Sequence, residues 1–129
     1  MKASSQTRDI EERTFQFGVR IIKLCQFLER KSWVNTTPGK QLLRCGASIG
    51  SNVEEAQAAE SRADFVSKNS LSLKEARETH YWLRLLAAAE VVPRSRLQPM
   101  LDESLELKLI LGAIIISAKR NAPARNIRK

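Results

Sequence analysis

Glycine and proline are scarce in this chain, 5 and 4 among 129 residues, and none of the two-residue pairs that close β-hairpins stands between alternating apolar runs. Helix is left as the dominant element. Two cysteines, Cys25 and Cys45, do not make a disulfide framework. The longest apolar run, Leu109 to Ala118 (LILGAIIISA), falls short of the ~18 residues that cross a bilayer. The amino terminus, MKASSQTRDIEER, is polar and charged where a secretory signal is apolar. The expectation is a cytoplasmic protein with reduced thiols and no membrane association.

Hydrophobic residues make up 43% of the chain and charged residues 28%, the composition of one folded domain with one core. Lysine and arginine number 22 against 14 acidic residues, a formal charge of +8, which permits polyanion binding without demonstrating it.

Apolar spacing predicts four helices, at about 7–31, 38–59, 62–90 and 97–119. In the first, Phe17, Ile21, Leu24, Cys25 and Leu28 share a face, with Thr7 or Asp9 as the cap. Asn35-Thr36-Thr37-Pro38-Gly39 interrupts the pattern, with Thr37 as N-cap and Pro38 at the first helical position. The second helix carries Leu42, Cys45, Ile49, Val53 and Ala56, and its centre is built of Gly46, Ala47, Ser48, Gly50 and Ser51. A helix-interior glycine costs about 0.5–1 kcal/mol relative to alanine, so Gly46 and Gly50 are expected to face a close neighbouring backbone. Ser61 with Asp64 reads as a capping-box variant opening the third helix. That helix is apolar on more than one face and is expected to be central. The fourth follows Val92-Pro93, with Pro99 placed in its first turn. Helices of matched length, about 33–42 Å, suit an all-α, up-and-down antiparallel four-helix bundle over residues 1–118. Residues 119–129 then form a flexible basic tail. The fourth helix is apolar nearly all round in its second half, which is expected to be covered within the bundle or by another subunit. Ile115 is the position that tests it.

Gln41-Leu42, Arg44, Ser48-Ile49-Gly50, Asn52, Glu55-Ala56, the stretch SRADFVSK from Ser61 to Lys68, and KEARETHYWLRLL from Lys74 to Leu86 resemble the "four helix bundle protein" family, the 23S rRNA intervening-sequence proteins. The resemblance extends from Gln41 to about Ser117. It departs from the family in the short link before the second helix and in the basic carboxy-terminal tail. It implies a ring-like homopentamer of four-helix bundles with no known enzymatic activity. It also implies a relationship to the accessory proteins of diversity-generating retroelements, basic pentamers that associate with a reverse transcriptase and with nucleic acid.

The charge is unevenly spread. Residues 1–40 carry eight basic and four acidic groups, residues 93–129 eight and three, and the stretch between them six and seven. Lys119, Arg120, Arg125, Arg128 and Lys129 occupy a stretch without acids, broken by Ala122-Pro123-Ala124. This is either an arm that contacts nucleic-acid phosphates or a solvated terminus. No aromatic is interleaved with it, so binding there is expected to be led by phosphate rather than by base stacking.

Asn52, Glu55, Glu75 and Glu78 bring amide and carboxylate groups towards the bundle, as a metal site would. A di-iron bundle needs Glu-x-x-His on two helices, and the chain has only His80. No metal and no cofactor is expected. The alternative is structural: Glu55 or Glu75 pairs with Arg44 or Arg77, fixing register or a subunit contact, with at least one pair buried. Trp82 beside Tyr81 is expected to be a core or subunit anchor. The glycines of GASIGSN lack the preceding strand and following lysine of a phosphate loop. His80 has no catalytic partner at a recognisable spacing. The function expected is therefore non-enzymatic, an oligomer that binds nucleic acid or a ribonucleoprotein. The alternative is a protein–protein scaffold whose basic tail is incidental.

Overall fold

A computed structural model describes residues 5–30 and 37–121, with side chains from 9 and 38 onward in the two stretches. It contains four helices, α1 (Ser5–Glu29), α2 (Thr37–Gln57), α3 (Arg62–Ala88) and α4 (Arg94–Arg120). Contacts between them fix the direction of each. Ser72 on α3 reaches the Ile49 carbonyl of α2 at 2.7 Å, while Glu75 and Glu78, further along α3, meet Arg44, earlier on α2. Arg62 at the start of α3 meets Ala118 near the end of α4, and His80 meets Ser104. On α1, Arg13 pairs with Glu103 and Phe27 with Arg96. Each helix thus runs opposite to both neighbours, an up-and-down antiparallel four-helix bundle.

The core follows the helical period. Ile10, Phe17, Ile21, Cys25 and Leu28 of α1 and Leu42, Cys45, Ile49, Val53 and Ala56 of α2 are buried. Each large side chain among them stabilises the fold by roughly 1.5–3 kcal/mol relative to exposure. The inner face of α3 differs from expectation. Asn69, Ser72 and Thr79 are buried there, each bonded to a helix carbonyl, whereas Leu71 and Leu85 are exposed. Small hydroxyls that satisfy themselves on helix backbone let α3 sit close to α2 without leaving a polar atom unpaired.

Gly46 and Gly50 explain the close approach of α1 to α2. A Cβ on Gly46 would lie 2.7 Å from Ile21 Cγ1, and one on Gly50 would lie 3.2 Å from the Thr14 carbonyl oxygen. At Gly50 the neighbour is backbone, as expected, and at Gly46 it is a side chain.

Three starts fall earlier than the sequence suggests, α2 opening on Thr37 itself where an N-cap was expected. The first helix begins at Ser5, so Thr7 and Asp9 lie inside it rather than capping it. α4 begins at Arg94, because Pro93 with φ −54 already presets the chain. Pro99 is then beyond the first turn, and the carbonyl it leaves without an i+4 donor belongs to exposed Ser95. The Ser61 hydroxyl accepts from the Asp64 N–H at 3.0 Å, capping α3. At the other end of α3, Val91 N–H reaches Leu86 O and Glu90 N–H reaches Ala87 O. This is a Schellman motif that places Glu90 at φ 59, where glycine is usual.

Within the second half of α4, Leu111, Ile114, Ile115 and Ala118 are buried in the bundle. Leu109 and Ile116 are not, at 69% and 56% exposure. No helix among the described residues is long and apolar enough to cross a membrane.

Candidate nucleic-acid interface

Two polar surfaces result from this packing. On the α2–α3 seam, Arg44 Nη1 donates to Glu75 Oε1 at 3.1 Å and Nη2 to Glu78 Oε2 at 2.6 Å, while Nε donates to Gln41. Trp82 Nε1 donates to the same Glu78 oxygen at 3.2 Å. The Arg44 guanidinium, helped by Trp82 and opposed by partial burial, holds the Glu78 carboxyl below the usual carboxylate range. The network is not buried, since the Arg44 side chain is 46% exposed. Leu42 and Cys45 point inward and turn Arg44 to the rim, so the expected buried ion pair is an exposed one.

The other residues singled out from the sequence stand apart from this network. Asn52 Nδ2 donates to Ser48 O within its own helix at 3.0 Å. Glu55 and Arg77 are exposed and form no ion pair among the described residues. Tyr81 meets Trp82 edge to face at 6.2 Å and remains 53% exposed, so of the two only Trp82 is anchored.

At the end where α1 starts and α4 stops, Lys119 and Arg120 are exposed and belong to the last turn of α4 rather than to a tail. There they complement the helix dipole. Arg62 Nη1 donates to the Ala118 carbonyl at 3.0 Å, so one cation at this end serves the α4 terminus. Arg125, Arg128 and Lys129 lie outside the described residues.

The opposite end, where α1 stops and α4 starts, gathers more positive charge. Arg20, Lys23 and Arg30 of α1 and its margin, Lys40 of α2, Arg84 of α3, and Arg94 and Arg96 of α4 outnumber Glu29 and Glu90, with Asp102 at the lower edge. Between α1 and α4 an open cleft of about 160 Å³ is lined by Arg20, Lys23, Leu24, Phe27, Val92, Arg96, Leu97 and Met100. The Arg96 guanidinium lies 4.7 Å above the Phe27 ring. Among the described residues no carboxylate lines the cleft. Sequence reading missed this cluster, since its members come from opposite ends of the chain and meet only through antiparallel α1–α4 packing. Lower on the same seam Arg13 makes a two-point bond to Glu103, at 2.9 and 2.6 Å.

Catalytic groups are less suggestive. Ser104 Oγ donates to Leu101 O at 2.9 Å, so it accepts from His80 Nδ1 at 2.8 Å, which assigns the hydrogen to Nδ1. Burial, with the charges of Lys108 and Arg84, lowers the His80 pKa. Ser104 is fully buried and spends its hydrogen on backbone. Burial pushes the Cys45 thiol up to about 11 and raises Cys25, leaving both as packing residues. Among the described residues no group of three or more His, Cys, Asp or Glu is placed to hold a metal ion.

Comparison with known proteins adds two likenesses. The sequence profile of the family described as 23S rRNA-intervening sequence protein matches residues 6–113. A solved structure from Bacteroides thetaiotaomicron, a protein with unknown function from the S23 ribosomal protein family, superposes with a TM-score of 0.78 at 39% identity, covering 85% of this chain and 97% of that one. No curated protein matches.

Proposed function

Since the chain belongs to the 23S rRNA-intervening sequence protein family, we propose that it is a cytoplasmic, non-enzymatic bundle that self-associates and binds nucleic acid, alone or within a ribonucleoprotein. The observation that carries this reading is the segregation of charge. The α2–α3 surface neutralises its arginine internally, while the end around Arg20, Lys23, Arg94 and Arg96 keeps its cations free of ion pairs among the described residues. Unpaired cations on a folded surface attract phosphates at the least desolvation cost. Lys119 and Arg120 at the far end, together with Arg125, Arg128 and Lys129 outside the described residues, are proposed to add a second set of phosphate contacts.

Self-association is supported by two apolar surfaces on different faces. Leu105, Leu109 and Ile116 form an outward stripe on α4. Phe15, Val19 and Ile22 of α1, with Ala47 and Gly50 of α2, line a groove of about 360 Å³. Two unlike faces meeting head to tail close into a ring when the rotation permits. A pentamer is the size that the family resemblance implies.

The test is RNA binding at two salt concentrations, comparing the full chain with one ending at Asn121, after light scattering has fixed the oligomer. Steep salt dependence is expected, and its slope should fall by up to about 0.9 for each duplex phosphate that the shortened chain no longer neutralises. Leu109→Glu is expected to reduce the oligomer mass and leave the bundle folded. Absence of binding at low salt would replace this reading with the protein–protein scaffold.

A further inference from the structure

We propose that the α1–α4 cleft is a binding site for an unpaired nucleotide of a nucleic-acid strand, with Arg20 and Lys23 on the phosphate and the Arg96–Phe27 stack against the base. The inference rests on the nucleic-acid reading above and adds to it a place and a strand type. Three observations converge. The cleft is open, about 160 Å³, and among the described residues carries three cations on its rim and no carboxylate in its lining. Its wall includes Leu24, Phe27 and Met100, so it is apolar where a duplex backbone would present only charge. Arg96 is held over the Phe27 ring at 4.7 Å, and a guanidinium plane fixed on an aromatic is a platform on which unstacked bases settle.

The surroundings favour the same ligand. α4 starts at this end with Pro93 as its N-cap and no side-chain hydrogen bond to its first amides, so the positive end of its dipole adds to the cations. Arg13, lower on the seam, is neutralised by Glu103, whereas Arg20 and Lys23 have no such partner among the described residues. A fully duplex ligand would use the charge and leave the apolar wall empty. An unpaired nucleotide uses both.

The experiment measures binding of the full chain to a short single-stranded oligouridine and to an RNA duplex of equal length, by fluorescence anisotropy at low salt. Lys23→Glu, on an exposed helix position, is expected to weaken the single strand about tenfold or more. Arg96→Lys keeps the charge and removes the planar stack, and is expected to weaken the single strand several-fold with the duplex little changed. Thermal melts followed by circular dichroism establish that each variant is folded. Wild-type binding left unchanged by both variants would overturn the cleft while leaving the broader reading intact. Equal losses on single strand and duplex for Arg96→Lys would overturn the base-stacking role. If the wild-type chain binds neither RNA, the nucleic-acid reading itself fails, and the cleft assignment with it.

Discussion

The two flanks of α1 are built by opposite means. Towards α2 the helices approach until a Cβ on Gly46 would overlap Ile21 and one on Gly50 would crowd the Thr14 carbonyl, with no ion pair across the seam among the described residues. Towards α4 the packing is the sparsest of the adjacent pairs, an open cleft lies between the helices, and unpaired cations crowd its rim. Both flanks keep an open depression, but the groove towards α2 is largely apolar and the cleft towards α4 is rimmed by Arg20, Lys23 and Arg96. The α4 flank then carries charge that the fold itself does not use.

The largest effect expected from breaking this contrast comes from Gly46→Val. Its new side chain must displace fully buried Ile21, and denaturant unfolding should register a loss of about 2–3 kcal/mol, typical of overpacking. A loss below about half a kcal/mol would show that the α1–α2 seam is no tighter than its opposite.

Next in size is the ion pair that closes the lower part of the loose flank. Because the Arg13–Glu103 contact is two-pointed and partly buried, a double-mutant cycle with alanine should give a coupling of about 1 kcal/mol, whereas Arg44–Glu75 should give about 0.5 kcal/mol or less. The reverse order would contradict the assignment of Arg44 to an exposed rim.

Glu90→Gly relieves a left-handed backbone and removes a carboxylate from the basic end. Stability is expected to rise by about 0.5–1 kcal/mol, and RNA affinity at low salt should rise with it. Stability gained without affinity would separate that end from nucleic-acid binding.

The smallest effects are those of pH. The folded-state pKa of His80 is depressed, so its contribution is present above its unfolded value of ~6.5 and is lost as pH falls through the depressed value. Glu78 is depressed as well, and its contribution disappears only in the lower window below the unfolded carboxylate value of ~4.3. Melting temperature should therefore fall in two stages on acidification. His80→Asn should remove the first stage and Arg44→Ala should weaken the second.

Helix existence was legible because apolar residues recur at the helical period and because Pro38, Ser61 and Pro93 punctuate them. The start of α4 was less so, since Arg94-Ser95-Arg96 carries no apolar signal and only Pro93 marks it. Pairing of Arg44 with a carboxylate on α3 could be anticipated from residue type and register. Its exposure follows from the α2 stripe already legible in the sequence, since Leu42 and Cys45 face inward and leave Arg44 at the rim. The basic cleft was not legible at all. Charge summed along the chain points to the carboxy-terminal segment, and only chain direction reveals that Lys23 and Arg96 share one rim.

The antiparallel order has a practical corollary. α1 begins and α4 finishes at the same end of a rod about 40 Å long, so a surface tether attached at Ser5 or Asn121 extends from the end away from the cleft. In a ring whose copies stand side by side, every tether would project from one rim and every cleft would open on the other. Immobilised through that end, such a ring would present all its clefts to solution.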